Sequence, residues 1–496
     1  MDEVPKKDER RQILGDMPPE DFRRFGYRVI DWIADYLAHP ERYPVLSQVK
    51  PGDILSHLPE SAPDQPEDME AVLQDFEQQI LPGITHWNHP AFMAYFGITG
   101  SCPGILGELL ASGLNVNAML WRTSPAATEL EQRAMDWLRQ WVGLPATFEG
   151  VVYDTASISS LVAVAAARES VPGLAVREKG LAGSGDASRL RLYASEQAHS
   201  SIEKAAILAG IGRQGVRKIG TGADFRMDAD ALERAIEEDI ASGWRPFCVV
   251  ATVGTTSTTS IDPVPRIAAL CARHRIWLHV DAGYGGCAAV LPEMRYVLDG
   301  CEEADSLVVN PHKWLFTPLD FSAFYSRKLS VVRQAFSLVP EYLKTPEDSQ
   351  VRNFMDYGPQ LGRRFRALKL WMIMRYFGLE GVRSRLREHI RLARLFASWV
   401  DDHPDFERCA PTPFSTICFR ARLEKENASI QSQDALNEKL LEHVNATGRF
   451  FLSHTRLNGR LVLRMAIGNL RTTEAHVRGC WELLCEQAAL IKRTAG

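Results

Sequence analysis

The sequence has no run of apolar residues approaching the roughly 18 that a membrane span requires, so it predicts no transmembrane helix. It also lacks any CxxC pair: its 9 cysteines stand singly along 496 residues. An odd, scattered set argues for reduced thiols and against a disulfide framework or a structural zinc site. Sustained basic tracts are missing, and with a formal charge of -5 a nucleic-acid partner has no compositional support. Neither GxGxxG nor a Walker A motif follows any strand-like segment, which argues against a dinucleotide site. Repeats and low-complexity tracts are absent. The opening MDEVPKKDERRQ is charged and has no apolar core of the kind a signal peptide carries. The expectation is a cytoplasmic protein.

What is present is an ordinary globular composition, long enough for two or three domains. Phe22, Phe25, Val29, Trp32, Ile33 and Tyr36 recur at helical spacing, which suits a core face or a subunit interface. Aromatic and histidine side chains then cluster from Tyr43 through His86, Trp87 and His89 to Tyr95 and Phe96. His86 and His89 are three apart, but no third ligand follows at useful spacing, so no metal is expected; rings at a pocket mouth fit better. Pro125 opens a helix after Ser124. Residues 151–153, 191–194 and 247–253 read as strands separated by helical patterns, the signature of an α/β domain with a mostly parallel sheet. Ala156 and Ser157 begin a small-residue helix whose N–H groups would hold a phosphate, or be capped in the usual way. A strand over 321–325, parallel or antiparallel to the rest, precedes a long polar loop over 336–358. Strands near 415–420 and 461–467, with helices over 431–444 and 473–491, form a smaller α+β unit. The expected division is 1–85, 86–380 and 381–496.

The chain is organised around two stretches, RIWLHVDAGYGG over 275–286 and SLVVNPHKWLF over 306–316. Each is a short strand-like run. The first ends in Asp281, and the second breaks at Asn310-Pro311 and presents His312, Lys313 and Trp314. Lys313 alone reads as a surface lysine whose stem passes an indole. Together, an acid at one strand end and an amine at the next are what pyridoxal phosphate needs. The lysine amine condenses with the cofactor aldehyde, and an ionised carboxylate keeps the pyridine nitrogen protonated so that the ring can draw electrons. His199 reads alone as a capping or hydrogen-bonded imidazole; beside that pair it becomes a candidate to lie over the ring.

QAHSS, HVDAGYGG and NPHKW, in that order, resemble the group II pyridoxal-phosphate decarboxylases, specifically the aromatic-L-amino-acid decarboxylase branch. The resemblance runs from about Phe22 to the C-terminal helix and includes PGITHWNHPAFMAYF, SPAATELE, YLK, LGRRFRALKLW and LVLRMAI. It implies a type I aminotransferase-like fold: a large, mostly parallel seven-stranded α/β domain, an N-terminal helical dimerisation segment, a small C-terminal α+β domain, and a homodimer. It implies that Lys313 carries the cofactor, Asp281 pairs with the pyridine nitrogen and His199 stacks on the ring. Ala156, Ser157 and Asn310 are expected at the phosphate, Thr255 or Thr256 near the ring, and Gly283 and His312 around the cofactor. Tyr342, in its YLK context, is expected to protonate the substrate carbon after CO2 leaves. His86, Trp87, Tyr95, Phe96, Ile98, Asn117 and Met119 are expected to bind substrate.

The implied reaction is decarboxylation of an aromatic L-amino acid such as tyrosine, tryptophan, phenylalanine or DOPA. Alternatives are an oxygen-dependent aldehyde synthase, which Tyr342 argues against because phenylalanine accompanies that activity in the family, and a decarboxylase of another amino acid. Arg363 and Arg364 suit an acidic substrate, but caps and salt bridges account for them more simply. A scaffold without chemistry would not need Lys313, Asp281, His199 and Tyr342 together. Several residues depart from the family pattern. Ile158 stands where a glutamate is common, Gly283 where alanine is frequent, and Gly97-Ile98-Thr99 follows Tyr95-Phe96 in place of the familiar Pro-Thr.

Overall fold

The computed structural model describes residues 15–181, 189–338, 343–422 and 429–495. Seven strands make the main sheet: β1 (Glu149–Tyr153), β2 (Leu190–Ser195), β3 (Val216–Ile219), β4 (Arg245–Thr252), β5 (Trp277–Asp281), β6 (Ser306–Val309) and β7 (Ser322–Ser326). Their order is β1-β7-β6-β5-β4-β2-β3. β2 through β6 pair in parallel, and β7 runs antiparallel to both neighbours. β5 and β6 are buried along their whole length, which is why their sequences read as nearly continuous apolar runs.

Alternate residues separate two cores, one on each face of the sheet. Leu278 and Val280 join the helices Pro125–Val142, Ala229–Ala241 and Val264–His274. Trp277 joins the opposite layer, with the helices Ala156–Glu169, Ser201–Leu208 and Leu329–Phe336. Side chains two apart share a face, so His279 and Asp281 point into this second layer. The register aligns Thr252 with Asp281 and Asp281 with Val308, bringing three strand ends to one edge. In open α/β sheets that carboxyl edge is where ligands bind.

A second, antiparallel sheet has the order β10-β11-β9-β8, from β8 (Phe406–Arg408), β9 (Thr416–Ala421), β10 (Ser453–Leu457) and β11 (Arg460–Ala466). Asn458-Gly459, both at positive φ, close the β10–β11 hairpin, as an Asn-Gly pair favours. The helices Ile430–Ala446 and Glu474–Ala495 and the end of the helix Ala367–Asp402 bury its apolar face. That long helix breaks at Gly378, whose φ is 62°. The short strands β3, β8 and β10 escape the sequence reading because VRKI, FER and SHTRL carry too little apolar pattern.

The N-terminal helix Pro19–Ala38 buries only Phe25 and Leu37. Phe22 is 66% exposed, so most of its aromatic stripe is not a core face within this chain. Trp32 packs on Phe76 at 5.4 Å, and Tyr36 stacks on Trp32. No helix among the described residues is long and apolar enough to cross a membrane.

Three buried imidazoles couple this fold to pH. Burial lowers the pKa of His279 and His389 to about 4 and of His312 to about 3, from 6.5. Above 6.5 each ring is neutral whether folded or not. As pH falls below that, the unfolded chain takes up protons that the fold excludes, so stability drops until the folded rings also charge. Each contributes a slope of about 1.4 kcal/mol per pH unit inside its window. The apoprotein's melting temperature should therefore fall steadily from pH 6.5 to 4 at fixed ionic strength; a flat profile in calorimetry would contradict these burials.

Candidate active site

β6 ends at Val309, and the chain turns through Asn310 into the single helical turn Pro311–Trp314. Proline suits that first position because its missing N–H would have no partner there. The Lys313 N–H donates to the Asn310 carbonyl at 2.9 Å. Lys313 is thus set at the sheet edge where β5 ends in Asp281. Burial pushes the Lys313 pKa down, and the Asp281 charge pulls it part of the way back. An amine that sheds its proton readily can act as a nucleophile. Asp281 is itself buried, and its Oδ1 accepts the Gly283 N–H at 3.1 Å.

A stack of rings walls the lysine. Its Nζ lies 5.1 Å from the Phe96 ring; Phe96 stacks on Tyr284 at 4.1 Å, and Tyr284 on Trp314 at 4.8 Å. The stack is pinned at its far end. The Trp314 indole donates to His389 Nδ1 at 3.0 Å, and the Tyr284 hydroxyl meets Ser415 Oγ at 2.8 Å.

Lys313 opens into a cavity of 300 Å³, which Phe96, Trp87, Tyr95, Ile98, His199 and Thr256 also line. The small sheet closes the cavity with Arg464 from β11 and Ser453, His454 and Thr455 from β10; Ser257 completes the wall. Arg464 is buried beneath Phe96, its guanidinium carbon 4.6 Å from the ring centre. Its Nε donates to the Ser257 carbonyl at 2.9 Å and Nη1 donates to the Tyr95 carbonyl, but Nη2 has no hydrogen-bond partner.

His199 accepts the Ser201 N–H at Nδ1, 3.2 Å, which leaves the proton of the neutral ring on Nε2. Burial lowers its pKa while the Asp281 charge opposes this. His312 accepts the Phe321 N–H at Nδ1, 2.9 Å, and stays neutral. Of the two threonines, Thr256 lines the cavity. Thr255 turns inward, with Oγ1 accepting from the Ser260 N–H at 2.9 Å and meeting Thr258 Oγ1 at 3.0 Å.

Asn310 is fully buried; its Oδ1 accepts from Ser322 Oγ, which meets Ser159 Oγ, both at 2.8 Å. This chain ties Asn310 to the helix that Ala156 and Ser157 begin. The amide Nδ2 has no partner. A Cβ on Gly283 would lie 3.0 Å from both that nitrogen and Asp281 Oδ1, so glycine keeps the two open. Gly97 has a similar reason: a Cβ there would come within 3.0 Å of the Gly468 backbone. Ile158 packs against the core on the Trp277 face, an apolar role for a position where a charge was expected.

Three expected substrate contacts lie elsewhere. His86 is drawn away by Tyr36, whose hydroxyl meets its Nδ1 at 2.9 Å. Asn117 is held by the Arg363 N–H at 2.9 Å, and Met119 packs beside Leu120, Leu343 and Met355. Neither reaches the Lys313 cavity of its own chain. Tyr342 lies outside the described residues. Arg464 escaped the residue-by-residue reading; its signal was an arginine in the middle of the apolar strand LVLRMAI.

An amine kept reactive by burial, a carboxylate one strand away and unpartnered donors at Asn310 and Arg464 fit pyridoxal phosphate and an amino acid. On this sheet they define a pyridoxal-phosphate enzyme of fold type I. The chain belongs to the pyridoxal-dependent decarboxylase family, whose conserved domain matches residues 51–422. It is 39% identical to a tyrosine decarboxylase of Papaver somniferum over 96% of each chain. It is also 39% identical to a phenylacetaldehyde synthase of Arabidopsis thaliana, over 97% of this chain and 98% of the relative. The crystal structure of Oryza sativa TDC with PLP and tryptamine superposes with a TM-score of 0.92 at 37% identity, covering 96% of this chain and 99% of that one.

Arg363 and Arg364 serve the scaffold. Arg363 Nη2 donates to Glu131 Oε1 at 2.7 Å and to the Val152 carbonyl at 2.8 Å, all buried, and Arg364 pairs with Glu108 at 2.9 Å. Arg363→Met would strand the Glu131 carboxylate without its partner. Chemical denaturation should show a loss of about 3–5 kcal/mol, and a loss below about 1 kcal/mol would refute the pairing.

Proposed function

We propose that this protein decarboxylates an aromatic L-amino acid, tyrosine, tryptophan, phenylalanine or DOPA, to the corresponding amine and CO2. The observation that carries the reading is a single cavity lined by Lys313, by Arg464 with its unpartnered Nη2, and by an aromatic wall of Trp87, Tyr95 and Phe96. Burying a substrate ring there gains area and ring packing. When bound, pyridoxal phosphate supplies an electron-drawing ring that takes up the charge left at the substrate's α-carbon.

The chain's own residues do the rest. Lys313 would hold the cofactor through its amine. Asp281 keeps a proton on the ring nitrogen, and His199 covers the ring face with its Nε2–H toward the site. Asn310 Nδ2 and the opening N–H groups of the helix at Ala156 and Ser157 hold the phosphate, since a helix N-terminus favours an anion. Thr256, rather than Thr255, stands beside the ring. Arg464 Nη2 takes the α-carboxylate and orients the bond to be broken. Tyr342 returns a proton to the α-carbon.

A homodimer in the cytoplasm completes the reading. Leu106, Leu109, Leu110 and Leu114 leave one face of the helix Cys102–Leu114 exposed, as does the stripe at Phe22. A second copy would cover both, and would place Asn117 and Met119 near a partner's cavity. The 9 cysteines are all free, which suits a reducing compartment.

Incubating the loaded enzyme with aromatic amino acids under air and identifying products by mass spectrometry tests the reaction. An amine with CO2 supports it; an aldehyde with ammonia and peroxide would put the aldehyde synthase first, the activity that a relative's name carries. Arg464→Gln should raise KM at least about tenfold, because a charge-assisted hydrogen bond is worth about 1.5–3 kcal/mol. An unchanged KM would remove Arg464 from substrate binding.

A further inference from the structure

Beneath Asp281, on the same face of β5, lies His279, fully buried and with no part in the site described above. Its register partner on β6 is Ser306. Ser306 Oγ accepts the Trp277 indole N–H at 2.9 Å and stands 2.9 Å from His279 Nδ1. An indole nitrogen can only donate, and a serine hydroxyl has one proton and two lone pairs, so Ser306 can take the indole N–H and still give its own proton to Nδ1. In that arrangement the single proton of the neutral ring sits on Nε2. That Nε2 has no hydrogen-bond partner. Phe324 lies alongside the ring, 6.4 Å between centres, so the imidazole is held in place by an aromatic face and a serine.

A buried donor left unpaired costs about 1–3 kcal/mol, a cost that a phenylalanine at this position would avoid. Asp281 lies two residues along the strand on the same face, close enough for its charge to act on the ring. One Asp281 oxygen is already committed to the Gly283 N–H at 3.1 Å. Resting on the reading that the site binds pyridoxal phosphate, we propose that His279 is a positioning residue for Asp281, donating its Nε2–H to the carboxylate when the cofactor is bound. Such a bond favours the ionised carboxylate and fixes its plane against the ring nitrogen. Because the imidazole stays neutral, it orients Asp281 without competing with the pyridine nitrogen for its charge.

The test is cofactor affinity and the visible absorption of the loaded protein, measured for wild type, His279→Phe and His279→Gln. The melting temperature of each apoprotein serves as a structural control. His279→Phe should weaken pyridoxal-phosphate binding about tenfold, the scale on which a residue supporting a ligand-binding group acts, and shift the absorption band, with an apoprotein that melts no lower than wild type. His279→Gln, which keeps an N–H, should lose less than about threefold. If His279→Phe does not fold, Ser306→Ala, which frees the imidazole to take its other tautomer, is measured in the same way and should weaken binding and move the band. A His279→Phe protein with wild-type affinity and absorption overturns the inference and leaves the cofactor reading intact. Equal losses in Phe and Gln together with a lowered apoprotein melting temperature overturn it too, by assigning His279 a packing role. A wild-type protein that takes up no pyridoxal phosphate overturns the reading on which the inference stands.

Discussion

Electrostatic attraction between Asp281 and the buried Lys313 amine is the constraint around which the large domain is arranged. Burial lowers the proton affinity of Lys313, and the Asp281 charge restores part of it. The pair therefore needs the two groups close, dry and fixed. Parallel pairing of β4, β5 and β6 supplies this, because its register brings Thr252, Asp281 and Val308 to one edge. Helices cover both faces of this sheet. Antiparallel β7 then lets the chain return at once after Lys313, and the Phe321 N–H leading into it holds His312.

The second sheet has more to do than complete the fold. Its β11 carries Arg464 into the cavity, and the β10–β11 hairpin, closed by Asn458-Gly459, brings Ser453 and Thr455 alongside. Tyr95 locks to it twice, through its N–H to Ser453 Oγ at 3.2 Å and its carbonyl to Arg464. Gly97 and Gly468 make the same junction possible by letting two backbones touch. Gly97 follows Tyr95-Phe96 where the chain meets the second sheet's connection, and the contact with Gly468 is the physical reason for a glycine there.

Asp281 and Lys313 were legible in the sequence because each sits in a short local signal, an apolar strand that stops at one polar side chain. The sheet was legible for the same reason, since β4, β5 and β6 are apolar on both faces. Arg464 was not, because its neighbours in space, Phe96 and Ser257, are far away in sequence. Nor could sequence separate Thr255 from Thr256; only the turn, which directs Thr255 toward Ser260 and Thr258, distinguishes them. His86 failed as a pocket residue because one hydroxyl, that of Tyr36, claims it. The aromatic stripe of the first helix was visible as a pattern, but a pattern does not say whether this chain or another covers it.

The site also carries a thermodynamic tension. Asn310 Nδ2, Arg464 Nη2, Thr252 Oγ1 and His279 Nε2 are all buried without a hydrogen-bond partner, and each such group costs about 1–3 kcal/mol. They come from β4, β5, the end of β6 and β11, so they converge only once both sheets are assembled. A ligand with a phosphate and a carboxylate offers acceptors of the kind Asn310 and Arg464 need. Binding to the folded state alone stabilises it, so filling the site recovers free energy that the empty fold forgoes. Such unpaired donors make poor scaffold and good recognition, and those of Asn310 and Arg464 tie the stability of the fold to the occupancy of its site.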